Sequence, residues 1–428
     1  MAVFYDDSLP IAIAAVGRHL SAKADATYLR DGQGRIHVFL PTAVQSNVAS
    51  ALDTELRSEL GGYAPSFGPV VHNGEPLADP ALLVVGDHRI KYLERRFVGV
   101  DWGSSPAPLA ESPPRLVFYS VKGGVGRTTG LAVLASQIAA RGGSVLCLDL
   151  DLEAPGLGQA LLPPDLTPEF GALDWLAERA IQGENGALPK VMSLTGTSPV
   201  GRHAGRIDVI PAFGRRCLKM PGTVLGKLSR SLVETSEDGV MVTFGKRLSE
   251  LITSACEARV YDAVLIDARA GLSEISAGPL LVLGADVLLF MADSNQSFAS
   301  YSALLTHLQQ FAPANSEADD WRLRLKTIRG RVANPGDAAA STRFLDRVAN
   351  VFAESLYDAS DATDLDGFNF ALDDRDAPHY PVSIAFDPRF QTYEPLDFTD
   401  QGNPQVTEAA FGEFTRWCIE RLGLFRDL

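Results

Sequence analysis

The amino-acid sequence predicts an α/β protein: a doubly wound, mostly parallel sheet with a small N-terminal α+β domain ahead of it. Three observations carry this. From Leu116 onward, strand-length apolar runs alternate with helix-length segments. A glycine-rich turn joins the first of those strands to a helix, and a proline-rich stretch separates the whole pattern from what precedes it.

Residues 104–114 read Ser-Ser-Pro-Ala-Pro-Leu-Ala-Glu-Ser-Pro-Pro. So many prolines among small polar residues continue neither a helix nor a central strand, so a linker is expected between domains at 1–103 and 115–428. In the first domain Arg35–Leu40, Ala81–Val85 and Phe97–Trp102 have strand character, and Val44–Leu60 has helical character. No catalytic motif falls there. The apolar stretch Leu9–Val16 is too short for a membrane span, and Asp6 and Asp7 precede it where a signal peptide would carry a basic region, so no signal peptide is expected.

In the second domain the expected strands are Leu116–Ser120, Val145–Leu150, Ile207–Pro211, Ala263–Asp267, Val287–Met291, Lys326–Val332 and Val382–Phe386. Several are continuously apolar, as strands are when helices cover both faces of a parallel sheet. Right-handed crossovers then place ligands at the carboxyl ends of the strands.

Composition narrows the function classes. The chain has 428 residues and a formal net charge of −15, a balance that repels nucleic acid and anionic lipid at long range. No apolar run is long enough to cross a bilayer, so a cytoplasmic location is expected. Cys147, Cys217, Cys256 and Cys418 lie far apart and form no CxxC pair, which reads as buried thiols and not as a zinc site or disulfide framework. The aspartate-rich stretch 358–376 sets Asp364, Asp366 and Gly367 at calcium-loop spacing but has Ala362 in the first position, so it reads as a solvated acidic loop.

The most informative run is Leu116-Val-Phe-Tyr-Ser-Val-Lys-Gly-Gly-Val-Gly-Arg-Thr-Thr. It passes from strand to glycine-rich turn to a helix that buries Leu131, Leu134, Ala135 and Ile138 and stops at Gly142-Gly143. Here Gly123, Gly124, Val125 and Gly126 can turn main-chain N–H groups onto phosphate oxygens, with the helix N-terminus adding positive potential. Thr128 is placed to ligate magnesium and Thr129 to reach an α-phosphate. The expected ligand is ATP with Mg²⁺. Two later motifs agree. The second strand ends Asp149-Leu-Asp151, two carboxylates on the same side of a strand end. The run Tyr261-Asp-Ala-Val-Leu-Ile-Asp267 is an apolar strand closed by an aspartate suited to the magnesium shell, with Gly271 four residues on. Arg269 between them has several candidate roles: contact with phosphate or a partner, or a pair with Glu274.

The loop departs from G-x-x-x-x-G-K-[ST] by having Val121 in place of the first glycine and Arg127 in place of the lysine, while a lysine occurs early, at Lys122. At Lys122 to Thr129 the chain resembles the MinD/ParA family of P-loop ATPases, whose deviant Walker A run is K-G-G-x-G-K-[ST]-[ST]. With Arg127, and with Glu153-Ala154-Pro155-Gly156-Leu157 further on, it is similar to a KGGVGR variant subgroup. The likeness spans roughly residues 115–425, excludes the N-terminal domain, and is dense only in the three phosphate-side motifs. It implies that Lys122 reaches the other subunit's phosphates in an ATP-sandwiched homodimer. By the same resemblance Asp149 contacts magnesium through water, Asp151 orients the attacking water, and Gly271 offers its N–H to the γ-phosphate. Asn334, in Arg331-Val-Ala-Asn-Pro, would read adenine, with a plain Asn-Pro turn as the alternative and Asp293 and Asn295 as weaker candidates. Arginine is longer, planar and forked, so Arg127 is expected to hold the β- and γ-phosphates yet position the γ-phosphate poorly for catalysis, with nucleotide binding that survives better than turnover.

The resemblance implies a slow ATPase switch that closes and opens a dimer to recruit or release a partner protein. Its output could be DNA partitioning, which the charge opposes, or membrane positioning, which needs a basic amphipathic C-terminal helix. The final helix, Val406–Leu422, mixes Glu408, Glu413 and Glu420 with its arginines, and Phe411, Phe414, Trp417 and Ile419 read as core. The favoured output is a component of a bacterial multi-protein defence or signalling system, with the N-terminal domain docking to a partner. A non-hydrolysing structural or interaction module is the alternative from a different class.

Overall fold

The description rests on a computed structural model and covers residues 3–20, 26–79, 82–85, 90–96, 98–200, 204–313, 320–358, 367–398, 401 and 403–425. The chain divides into two compact units, Met1–Ser104 and Ser105–Leu428.

In the first unit the order is α1 (Tyr5–His19), β1 (Thr27–Arg30), β2 (Ile36–Leu40), α2 (Ser46–Leu60), β3 (Val71–Asn73), β4 (Leu83–Val85) and β5 (Ile90–Glu94). The sheet order is β3-β2-β1-β5-β4. The strand expected at 35–40 and the helix at 44–60 are present, and the strand expected at 81–85 is the short β4, Ala81 lying outside the described residues. The strand expected at Phe97–Trp102 is not. Phe97 lies outside the described residues, and Val100–Gly103 forms a 3₁₀ turn entered through Gly99 at φ +65°. The apolar stretch Leu9–Val16 belongs to α1, which buries Ala12, Ala15 and Val16 against Ile36, Val38, Leu52 and Leu56.

The second unit starts with the proline-rich segment, which is fixed in place. Ala107 N–H donates to Leu281 O at 2.7 Å, Ala110 N–H to Gly284 O at 2.8 Å, and Arg324 Nη1 to Ala107 O at 2.7 Å. Then follow β6 (Arg115–Ser120), α3 (Arg127–Ala140), β7 (Ser144–Leu150), α4 (Leu157–Leu161), α5 (Ala172–Gln182), β8 (Gly196–Thr197), β9 (Arg206–Ile210), α6 (Arg215–Lys219) and α7 (Val224–Ser231). The hairpin β10 (Thr235–Glu237) and β11 (Val240–Val242) leads into α8 (Phe244–Ala258), β12 (Ala263–Ala268), α9 (Glu274–Ala277), β13 (Asp286–Met291), α10 (Asn295–Gln309), β14 (Leu325–Val332), α11 (Ala338–Ser355), β15 (Val382–Ala385) and α12 (Pro404–Arg421).

The main sheet has eight strands in the order β15-β14-β13-β6-β12-β7-β9-β8, parallel throughout except for the edge pair β8–β9. Its central strands are buried on both faces. Leu116, Phe118, Leu288 and Phe290 point toward α3 and α12, where Phe118, Phe290 and Phe414 pack ring on ring at centroid distances of 5.9 to 6.2 Å. On the opposite face Tyr301 of α10 sets its ring edge-on to Tyr119 and donates its hydroxyl to Phe290 O at 2.9 Å. Helices on both faces of a mostly parallel sheet make the doubly wound arrangement that the alternation predicts. The aromatic stripe of α12 is core: Phe411 and Phe414 are buried, and Trp417 and Ile419 pack partly buried against the same cluster. Among the described residues no helix is long and apolar enough to cross a membrane.

Lys326, at the start of β14, is buried and donates Nζ to Arg375 O at 2.6 Å and Ala377 O at 3.0 Å, fixing the turn before β15. Burial pushes its ammonium down from the ordinary 10.5 to about 8. The folded state therefore binds fewer protons than the unfolded chain between these values. The contribution is full above pH 10.5 and is lost as pH falls through about 8, so this group makes stability rise with pH in that window. Chemical denaturation across it is expected to show a rise that Lys326→Met abolishes. An identical slope in the variant would refute the assignment.

Candidate functional site

At the carboxyl end of β6 the chain leaves the sheet at Ser120, turns through residues 121–126 and enters α3 at Arg127. The turn requires glycine at two points, since Gly124 and Gly126 hold φ +77° and +87°, a left-handed backbone that a side chain would strain. β14 comes close behind the turn: a Cβ on Gly330 would lie 2.2 Å from Val125 O. The loop is thus held in shape by the neighbouring backbone. A cleft of about 360 Å³ opens over it, lined by Gly123 through Thr129, Asp151, Ala270, Arg331 and residues 384–387, with Phe390, Gln391 and Phe411 further in.

Three carboxylates converge from adjacent strands. Asp149 on β7 lies in register opposite Asp267 on β12, and Asp151 follows two residues after Asp149. Asp149 and Asp267 are buried, and burial raises both carboxyls above the ordinary range, Asp149 further because Asp267 is charged beside it. Arg127 answers this charge. Its Nε donates to Asp267 Oδ1 at 2.6 Å, Nη2 to Asp151 Oδ2 at 3.0 Å and Nη1 to Ser120 Oγ at 3.2 Å. Although burial alone would lower its pKa, the carboxylates of Asp267 and Asp151 hold it raised. Thr128 Oγ1 donates to the other oxygen of Asp267 at 2.6 Å. The guanidinium expected on the β- and γ-phosphates is therefore turned inward, because three forked donors match two carboxylates and a hydroxyl better than open solvent does.

Other expected residues also take up unforeseen partners. Gly271 has φ +97°, but its N–H donates to Ser120 O at 2.8 Å and not into the cleft. Its carbonyl accepts from Tyr119 Oη at 3.1 Å and Ser276 Oγ at 2.8 Å. Arg269 pairs with Glu153 and not with Glu274, tying the loop after β12 to the loop after β7. Asn334 does not line the cleft: its side-chain oxygen accepts from Gly336 N–H at 3.2 Å, which is the plain Asn-Pro turn. Asp293 and Asn295 are both engaged by Arg347. Lys122 is exposed and enters no hydrogen bond or ion pair among the described residues. The calcium-spaced Asp364 and Asp366 lie outside the described residues.

Sequence reasoning missed Arg331 and the segment Phe386-Asp387. Arg331 sits at φ +55° where the β14–β15 register shifts, donates Nη1 to Gly124 O at 3.0 Å and stacks its guanidinium over Phe386. The available signal was positional, since the strand end at 382–386 predicts a ligand-facing residue just beyond it.

Asp149, Asp267 and the Thr128 hydroxyl form a set of hard oxygen donors, the kind magnesium takes. Among the described residues no group of three or more His, Cys, Asp or Glu is spaced to hold a metal by itself. A magnesium ion here would complete its shell with phosphate and water, as that ion commonly does.

The chain matches no protein-family model and no curated protein. Among solved structures it is similar to a ParA family ATPase from Chlorobium tepidum, at 17% identity over 73% of this chain and 99% of that one, with a TM-score of 0.43. The pNOB8 ParA gives 16% identity over 72% and 97% of the two chains and a TM-score of 0.40. The cell division ATPase MinD of Pyrococcus furiosus gives 22% identity over 45% and 65%, with a TM-score of 0.30.

Proposed function

We propose that the protein binds ATP with magnesium at the loop Gly123–Thr129 and works as a slow, ATP-dependent dimeric switch that recruits or releases a partner protein. The observation that carries this reading is the preformed glycine loop at the N-terminus of α3, with Thr128, Asp149 and Asp267 gathered beside it. Main-chain N–H groups of the loop would take the phosphates, with Thr129 at the α-phosphate. Thr128 and Asp267 would hold the metal and Asp149 would contact it through water. The ion would supply charge to the β- and γ-oxygens when bound. Asp151 would orient the attacking water once Arg127 releases it, and Gly271 would turn its N–H from Ser120 O to the γ-phosphate. A bacterial defence or signalling system remains the favoured setting, on the subgroup resemblance alone.

A second reading has its own support. Because Arg127 is buried on Asp267 and Asp151, the protein could hold nucleotide without turning it over and serve as a structural or interaction module. One experiment separates the two. Purified protein with ATP, ADP or GTP and magnesium is followed by calorimetry, phosphate release and light scattering. Slow release with an ATP-dependent doubling of mass supports the switch. Tight binding with neither supports the module. No uptake of any triphosphate would refute both.

The cleft adds a sharper expectation. Arg331→Ala removes a cation from its wall and should weaken ATP binding on the order of tenfold, the loss of about one charge-assisted hydrogen bond. Asn334→Ala should leave affinity within about twofold, since its side chain faces its own turn. The reverse ranking in a calorimetric titration would put the base where the resemblance, and not the cleft, places it.

A further inference from the structure

A second cavity, of about 410 Å³, opens two strands away from the phosphate loop, past the carboxyl ends of β7 and β9. Its walls are apolar, made by Leu162, Pro164, Pro211, Phe213 and Leu218, and its rim carries Arg215 and Lys219. Asp149 lies at its base with its oxygens already accepting from the Asp151 and Gly158 amides. The surrounding surface is unlike the rest of the molecule. Residues 214–233 contain Arg215, Arg216, Lys219, Lys227 and Arg230 and no acidic residue, in a chain of net charge −15. Lys227 is used by Asp174, and Arg216 is paired with Glu169. Arg215 and Lys219 form no ion pair among the described residues, and Leu218, Met220 and Leu225 project beside them with 54%, 59% and 78% of their surface exposed. Apolar side chains exposed to that degree around a basic-rimmed hollow mark a surface that some partner covers.

The complementary chemistry, an exposed apolar side chain beside carboxylates, occurs in the same chain. Just before β15, Leu372 is 46% exposed and is followed by Asp373, Asp374, Arg375 and Asp376. This turn is held rigidly. Asp374 N–H donates to Ala371 O at 3.1 Å, Asp374 Oδ1 accepts from Asp376 N–H at 2.9 Å, and His379 Nε2 donates to Leu372 O at 3.2 Å. Lys326 grips its Arg375 and Ala377 carbonyls from below. Pro378 O accepts from Thr327 N–H, which places the turn at the amino end of β14, second strand from one edge of the sheet. The hollow lies at the carboxyl end of β9, second from the other edge. The two surfaces therefore occupy diagonally opposite corners of one rigid sheet, and no chain can bring its own pair together.

We propose that the occupant of the hollow is a second copy of this chain. The Leu372 side chain of one copy enters the apolar cavity of the next, and the carboxylates of Asp373 and Asp376 meet Arg215 and Lys219 at the rim. The preformed turn loses little entropy on docking. Because the contact joins unlike corners it is heterologous, and repetition gives head-to-tail chains of copies. The net charge of −15 opposes close approach, so association is weak and grows with protein concentration. The contact residues Leu372, Asp373, Asp376, Arg215 and Lys219 include neither Lys122 nor any residue that lines the phosphate-loop cleft, so the contact forms without nucleotide and is tested separately from the ATP-dependent dimer.

Sedimentation velocity of the full chain without nucleotide, over a concentration series, tests it. Wild-type protein should show a weight-average mass that rises with concentration. Arg215→Glu with Lys219→Glu, Asp373→Lys with Asp376→Lys, and Leu372→Ser should each weaken association on the order of tenfold or more. All these positions are exposed, and unchanged circular dichroism would show that the folds are intact. Mixing the two charge-reversed proteins makes every contact complementary again, so association should return in the mixture though each alone has lost it. Wild-type protein that stays monomeric at its highest soluble concentration would overturn the proposal, as would charge-reversed variants that associate like wild type or fail to associate when mixed.

Discussion

Arg127→Lys is expected to speed phosphate release from ATP on the order of tenfold or more. The reason lies in what Arg127 holds. Its fork engages Asp267, Asp151 and Ser120 at once, and Asp151 cannot orient a water, nor Asp267 turn to a metal, while those bonds persist. Each hydrogen bond to a charged group contributes about 1.5 to 3 kcal/mol, so releasing even one per turnover accounts for a factor of ten. Lysine is a single point of charge on a flexible stem and cannot span two carboxylates and a hydroxyl together. The companion substitution works in the opposite sense. Arg127→Ala leaves two buried or half-buried carboxylates without their cation and should cost about 3 to 5 kcal/mol of stability in the nucleotide-free protein. Steady-state phosphate release and urea denaturation check the pair. A lysine variant no faster than wild type would mean that the arginine is not what limits the site.

The second large effect concerns Lys122. Lys122→Ala should abolish the ATP-dependent doubling of mass while changing the stability of the single chain by no more than about 0.5 kcal/mol. Its side chain is exposed and enters no hydrogen bond or ion pair among the described residues. The two measurements must come apart for the idea to stand. A variant that still doubles in mass with ATP, by light scattering, removes Lys122 from the dimer, and a variant that melts early shows a role inside the chain.

The sheet was legible because its signal is physical and redundant. The central strands β6, β7, β12 and β13 are runs of mostly apolar side chains buried on both faces, and such runs stand out from the polar segments between them. β8, of two residues, and the hairpin β10–β11, of three each, are too short to leave a period in the sequence. The misread strand at Phe97–Trp102 has the opposite fault. Its aromatic and branched residues favour extended chain, yet Gly99 in the left-handed region turns it instead. At the site, the loop and its carboxylates could be read because each follows directly on an apolar strand run, at the carboxyl end where a parallel sheet gathers its ligand-binding groups. The partners of Arg127, Arg269 and Gly271 could not, since they depend on which donor of several wins a shared acceptor. Arg331 was hidden for a further reason. Only the register shift at the end of β14 turns it over the loop, and nothing local in Arg-Gly-Arg announces that shift.

The link between Arg269 and Glu153 bears on how signals could leave the cleft. Both side chains are partly open to water, at 26% and 41% of their surface. Attraction between charges in that setting amounts to less than about 1 kcal/mol, close to the thermal energy. Such a tether parts and re-forms readily under thermal motion. It keeps two loops in step without deciding which way they go, and leaves the decision to whatever occupies the space between them.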